Sequence, residues 1–253
     1  MYDKVDLYTQ RLNAAFVNSY NAIAEPTPIE SALTIVNSKG RVENYPWLYP
    51  PPLMHAWKGF RQYAKLGEIN YRVPNLTYTS EFEVPFEDLE DDQIDGFAKQ
   101  ASEMAKGAQI WRTIQTQITL AAGQTTKCYD DSYFFQTSHN IGVGNNILTG
   151  TAVATDAVTH AMVALITSNR MVKPLMWQER ESPALRTDAG DNESSKTRMV
   201  HWWTSLRGAA AFGFWHDAIL VKFANTPTVA DMLTTLGNLN AKFRSCGTIG
   251  PAA

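Results

Sequence analysis

The sequence predicts an α+β fold, and three observations carry that prediction. From about Asp92 to Ala122 a helical apolar stripe continues for roughly 30 residues with no proline to break it. Directly before it the hydrophobic period falls to two, the spacing of a strand with one apolar and one wet face. The remainder alternates short runs of both kinds, with no internal repeat and no low-complexity tract.

Taken in order, Val5, Tyr8, Leu12, Phe16 and Tyr20 recur at steps of three and four and define one face of a first helix, which Pro26 and Pro28 end. The run from Tyr45 to Pro52 is rich in proline, which removes donors and fixes φ, so an extended strap is expected there. Ile69, Tyr71 and Val73 form a short strand, broken at Pro74-Asn75. Leu76, Tyr78, Phe82, Val84 and Phe86 then alternate with Thr77, Thr79, Glu81 and Glu83. The expected product is a hairpin with Arg61, Lys65 and Arg72 on or before one arm and Glu81, Glu83 and Glu87 on the other.

The acids from Glu87 to Asp95 suit the positive end of a helix dipole better than a cation site. The helix they open carries Ile94, Phe97, Ala101, Met104, Ala108, Trp111 and Ile118 on one stripe. At 1.5 Å per residue it would be about 45 Å long, far above the globular mean. Further on, Val153–Ser168 is expected as a helix with Val158, Ala161, Met162 and Leu165 inward, and Met171–Trp177 as a strand. Glu181–Lys196 is expected as an exposed polar loop, and His201–Phe223 as strands around Gly208 and Gly213. A last helix starts at Thr228, capped with Asp231 three residues on.

Composition narrows the function. The 22 basic and 25 acidic residues leave a formal net charge of −3, which excludes a dedicated nucleic-acid binder because phosphate contacts need a basic excess. A wall that merely encloses nucleic acid needs no such attraction. Met1 to Lys4 lack the apolar core of a signal peptide, and the long uncharged run Ser132–Thr155 is too polar to span a membrane. With Cys128 and Cys246 far apart and read as buried thiols, the expectation is a soluble chain made in a reducing cytoplasm. There is no G-x-S-x-G, P-loop or H-E-x-x-H pattern, and Gly142-Val143-Gly144 fails as a dinucleotide fingerprint at its third glycine. The 5 histidines show no i, i+4 pair. Ser138-His139 could supply a nucleophile and base, but a hydrogen-bonded loop histidine is the simpler reading. No catalytic residue, metal or cofactor is expected.

Four blocks in one order carry a resemblance. The first is Tyr45-Pro46-Trp47-Leu48, Trp57-Lys58-Gly59-Phe60-Arg61, Tyr71-Arg72-Val73-Pro74-Asn75 and Glu90-Asp91-Asp92. The second is Cys128-Tyr129-Asp130-Asp131-Ser132-Tyr133-Phe134-Phe135 with Thr137 and His139. The third runs Lys173-Pro174-Leu175-Met176-Trp177-Gln178-Glu179-Arg180, and the fourth Arg207-Gly208-Ala209 through Gly213-Phe214-Trp215. In these the chain resembles the Mu-like major head subunits of tailed bacteriophages, which carry the HK97 capsid fold. Asp131 stands where that family has a turn glycine.

The resemblance implies an N-terminal arm and strap at 1–57, an extended β-hairpin loop at 58–90, and a long spine helix with the peripheral domain at 91–135. A mostly axial domain at 136–216 and a return to the peripheral and axial core at 217–253 complete it. It implies contacts between subunits through Arg61, Lys65, Arg72, Tyr78, Glu81, Phe82, Glu83 and Val84, and a spine-helix core of Phe97, Met104 and Trp111. The implied function is that of a structural major capsid protein, not an enzyme, in the virion. Its copies would form hexamers and pentamers of an icosahedral shell around double-stranded DNA, held without sequence-specific binding or a membrane. Portal and scaffold proteins would be its partners. The rival readings are a cargo-enclosing nanocompartment shell of the same fold and a hydrolase using His139.

Overall fold

Helix α1 (Tyr2–Asn21) forms where the apolar stripe predicts it and buries Tyr8, Leu12 and Phe16. The computed structural model describes residues 2–22, 27–48, 59, 69–85, 87–88, 94–141, 144–150, 160–165, 171–188, 198–223 and 225–247. The one-turn helix α2 (Pro28–Ser31) opens on a reciprocal cap: the Thr27 amide donates to the Glu30 carboxylate at 2.9 Å and the Glu30 amide to the Thr27 hydroxyl at 3.3 Å. Strands β1 (Leu33–Asn37), β2 (Val42–Asn44), β3 (Arg72–Pro74) and β4 (Leu76–Pro85) follow. Of the expected strap, residues 46–48 form a single 3-10 turn, and 49–52 lie outside the described residues.

The spine helix α3 (Ile94–Ala121) runs 28 residues without a break, about 42 Å, and a 3-10 turn at Ala122–Gln124 ends it. Beyond it lie β5 (Ile147–Thr149), β6 (His160–Leu165), β7 (Leu175–Thr187), β8 (Met199–Phe212), β9 (Ala218–Phe223) and α4 (Val229–Gly247). Helix α4 starts as expected: the Thr228 amide donates to Asp231 at 3.0 Å, and the Asp231 amide to the Thr228 hydroxyl at 3.2 Å.

Among the described residues the strands make one sheet in the order β1-β7-β8-β4, a short β2-β3 ladder, and a second sheet in the order β5-β9-β6. Among the described strands only β1-β7 and β5-β9 are parallel pairs. Helices α1 and α3 pack together over the first sheet, where Tyr8, Leu12, Phe16, Ala101, Ala105 and Trp202 share one core. Phe134, Trp177, Phe212 and Trp215 anchor a larger core beneath β7 and β8, and α4 places Leu239 against Ile219, Val221 and Phe223 of the second sheet.

Several expectations are overturned. The hairpin does not form: β3 pairs with β2, and β4 pairs along its whole length with β8. A two-stranded ribbon is marginal in water, and the distant partner β8 offers a continuous apolar ladder instead. The expected helix over 153–168 is a strand at His160–Leu165, while 153–159 and 166–168 lie outside the described residues. Val163 and Leu165 meet one core and Met162 and Ala164 another, so both faces are covered and the apolar run shows no alternation. Strand β7 continues to Thr187, through much of the expected polar loop, and its register slips around Ser182-Pro183, where proline cannot donate to a ladder. Strands β1, β4, β7 and β8, which come from three of the segments along the chain, meet in one sheet.

Two residues show why the chain can close up this way. A Cβ on Gly213 would lie 2.0 Å from the Lys173 carbonyl oxygen, so only glycine lets these backbones meet. Asp131 takes φ 61, the left-handed conformation that a glycine would adopt there at no steric cost.

Candidate functional site

The stripe of α3 runs off its sheet. Ala101 and Ala105 are fully buried and Phe97 and Met104 half-buried, but Trp111 is 38% exposed and Ile118 55% exposed. Trp111 is therefore not a core residue, as the stripe suggested, but the wall of an open groove of about 450 Å³ between α3 and the β4-β8 ladder. Tyr78, Met104, Ala108 and Leu206 line the same groove. The Tyr78 ring meets Trp111 edge-on at 5.6 Å, and its hydroxyl donates to Gln115 at 3.4 Å.

The other residues expected to reach a neighbour divide into three groups. Arg61 and Lys65 lie outside the described residues. Arg72, Glu81 and Glu83 are exposed. Val84 is wholly buried by its own chain and so cannot dock on a neighbouring subunit, while Phe82 is half-buried and stacks on the buried Trp202 at 5.6 Å. The alternation that marks an apolar face is real, but the chain's own α1 and α3 cover its Phe82–Val84 end, while Leu76 is exposed and Tyr78 faces the groove.

The acidic side of β4 is partly answered within the chain. Glu83 lies 3.7 Å from His201, which also pairs with Asp188 at 2.7 Å, and Glu87 meets Arg198 at 3.0 Å. On the far side of α3, Arg112 is 3.6 Å from Glu30 and the Thr113 hydroxyl donates to Glu30 at 3.1 Å. Burial alone would raise the Glu30 carboxyl. The Thr27 amide, the Thr113 and Thr27 hydroxyls and the Arg112 charge outweigh it and hold the group below the usual carboxylate range.

The family-like blocks converge in the interior. The Tyr45 hydroxyl donates to Gln178 at 2.6 Å, Gln178 donates to the Val73 carbonyl at 3.3 Å, and the Phe212 amide donates to the Tyr71 hydroxyl at 3.1 Å. Burial and the Glu43 charge push the Tyr45 phenol up to about 12, so it stays a donor. In the second block His139 is buried, with Nδ1 at 2.8 Å from Asp130 and Nε2 at 3.2 Å from Asn146, and its ring stacks on Trp215 at 3.9 Å. Ser138 is exposed, and the polar partners of His139 are Asp130 and Asn146, so the serine-histidine reading has no geometry behind it. Burial and the neighbouring Asp130 raise the Cys128 thiol, which donates to that carboxylate, so it is no ready nucleophile.

A long uninterrupted helix on a mixed sheet, a second sheet beside it and an open apolar groove make up the architecture of a capsid-type subunit. The solved structures agree. The chain is similar to the procapsid subunit of bacteriophage JBD30, with a TM-score of 0.75 and 23% identity, over 91% of this chain and 78% of that one. It is also similar to the JBD30 capsid, with a TM-score of 0.70 and 18% identity, over 88% of this chain and 75% of that one. Its fold is the HK97-like capsid fold.

The chain belongs to the family described as the Mu-like prophage major head subunit gpT, whose model it matches over residues 5–242. It is 30% identical to the major capsid protein of Escherichia phage Mu over 204 residues, 78% of this chain and 67% of that protein. It is 29% identical to the Mu-like prophage FluMu major head subunit of Haemophilus influenzae over 205 residues, with the same coverage. It is thus a structural protein of the virion capsid and not an enzyme. Among the described residues no helix is long and apolar enough to cross a membrane.

Proposed function

We propose that copies of this chain close into an icosahedral shell of hexamers and pentamers around double-stranded DNA, with portal and scaffold proteins as assembly partners. The observation that carries this is the half of the α3 stripe left uncovered, with Trp111 and Ile118 beside the Tyr78 groove. Apolar surface of that kind marks a protein–protein contact, and a neighbouring subunit would cover it. Arg61, Lys65, Arg72 and Glu81 would meet charges on that neighbour. Exposed pairs contribute only about 0–1 kcal/mol each, so they would set register rather than strength. We assign α3 and the β1-β7-β8-β4 sheet to the peripheral domain, and β5, β6, β9 and α4 to the axial domain.

Negative-stain microscopy of the expressed chain, with sedimentation and nuclease treatment, tests the reading. Closed particles that protect DNA in the presence of scaffold and portal are expected. Trp111→Asp should leave circular dichroism unchanged and abolish particles. Particles filled with a protein cargo and no DNA would favour a nanocompartment instead, and a persistent monomer would overturn the proposal.

A further inference from the structure

We infer that Cys128, Asp130 and His139 form a binding site for a divalent metal ion of the zinc type, buried in the loop that follows the spine helix. The three side chains are buried, and their ligand atoms all lie within 4.8 Å of one another. The Cys128 sulfur is 2.9 Å from Asp130 Oδ1, and His139 Nδ1 is 2.8 Å from Asp130 Oδ2. In a tetrahedral zinc site the donor atoms lie about 3.3–3.6 Å apart, so shifts of well under about 1 Å would open the triangle for the ion.

The hydrogen bonds around the imidazole leave Nδ1 as its ligating nitrogen. Asn146 is fixed in orientation, because its Oδ1 accepts from the Gln136 amide at 2.9 Å and its Nδ2 donates to the Phe134 carbonyl at 2.6 Å. His139 Nε2 faces that same Oδ1 at 3.2 Å and must carry a proton to bond with it. Nδ1 faces the Asp130 carboxylate. With a metal on Nδ1 the imidazole is neutral, and its Nε2–H donates to a fixed carbonyl oxygen, the usual arrangement of a ligating histidine.

The charges balance as well. A Cys128 thiolate and an Asp130 carboxylate neutralise a doubly charged cation, which keeps a buried site free of net charge. Ligation as a thiolate would release to solvent the proton that Cys128 donates to Asp130. The Ser132 amide holds Asp130 Oδ1 at 3.1 Å, the Asn140 side chain holds the Asp130 carbonyl at 3.0 Å, and Trp215 packs flat on the imidazole. Three protein ligands leave the fourth tetrahedral position to a solvent molecule. Cysteine and imidazole together select zinc over magnesium or calcium. Such an ion would tie Cys128 and Asp130 to His139 within the loop that follows the spine helix, whatever the chain's assembly state.

The test is metal analysis of the full-length, untagged chain purified without chelator, followed by cobalt exchange. Zinc stoichiometric with the chain is expected, together with a visible cobalt spectrum carrying a thiolate charge-transfer band. Cys128→Ser, with folding checked by circular dichroism, should lose that band and weaken metal binding by more than about tenfold. A folded wild-type chain that takes up no zinc from a zinc-containing buffer would overturn the site, and so would a cobalt spectrum without the thiolate band. Retention of full metal affinity by folded Cys128→Ser would overturn it too. If that variant does not fold, the wild-type zinc content and cobalt spectrum decide the matter.

Discussion

Between α1, α3 and the β4-β8 ladder the interior is apolar throughout: Tyr8, Leu12 and Phe16 meet Ala101, Ala105, Val84, Val200 and Trp202. In the loop after α3, Phe134, Phe135 and Trp215 instead enclose Asp130, His139 and Asn146, which bond to one another and to the backbone. The first region is held by area, with each element bringing a stripe of apolar side chains at its own period. The second is held by fit. Small side chains allow close approach, and Asp130, His139 and Asn146 each have a required partner. Removing volume should therefore hurt the first region most, and adding volume or changing a donor should hurt the second.

The largest effect should come from Trp202→Ala, since the ring is fully buried and stacked on Phe82. A loss of about 3–5 kcal/mol in denaturant unfolding is expected. A smaller loss would break the contrast. Phe82→Asp should likewise weaken the fold itself, because the ring packs on its own chain. Next, Gly213→Ala adds one methyl to the second region against the Lys173 backbone and should cost about 1–3 kcal/mol, measured the same way. If that methyl is tolerated, close fit is not what holds the region.

Trp111→Ala sharpens the comparison from the exposed end of α3. It removes an edge-on contact with Tyr78 and should cost only about 0.5–1.5 kcal/mol of subunit stability, although Trp111 shares the helix with Ala101 and Ala105. Its main effect should be on particle yield, read by sedimentation.

Glu30→Gln probes the polar seam at the back of α3. Because the folded state holds the Glu30 carboxyl below its usual range, its stabilisation is present above the unfolded value and lost as pH falls through the folded one. The variant's deficit, under about 1 kcal/mol, should be full at neutral pH and vanish in acid. The smallest change is Asp131→Gly. It relieves a left-handed backbone but frees the unfolded chain and removes the exposed Lys127–Asp131 pair at 2.8 Å, so the melting curve should shift by less than about 1 kcal/mol.

What was legible in the sequence followed the same division. Helix α3 was expected from Asp92 to Ala122 and runs from Ile94 to Ala121, and the Thr228–Asp231 cap appears as written, because helical period and capping are local signals. Strand pairing is not local. The alternation over 76–86 marked a strand with an apolar face but said nothing of its partner, Met199–Phe212, more than a hundred residues away. His160–Leu165 was hidden for the opposite reason, since a strand covered on both faces loses its period. In the second block Cys128, Asp130 and His139 were each visible as residues. Their spacing matches no metal pattern, and it is the folded loop that brings them together. Trp111 and Ile118 belonged to a correctly drawn stripe, yet periodicity cannot say where a helix outruns its sheet.

The β4-β8 ladder has a mechanical consequence. It pairs Leu76 with Gly208 and Pro85 with Met199 in one unbroken antiparallel register of 10 rows. Hydrogen bonds in such a ladder lie across the strands, so a pull along the strand axis strains every row together, whereas a pull across it would open them one at a time. A subunit gripped at Arg72, just before β4, and at Arg198, just before β8 and at the opposite end of the ladder, would therefore carry tension as a shear joint. Its resistance would be set by the whole ladder, and it would yield abruptly rather than peel.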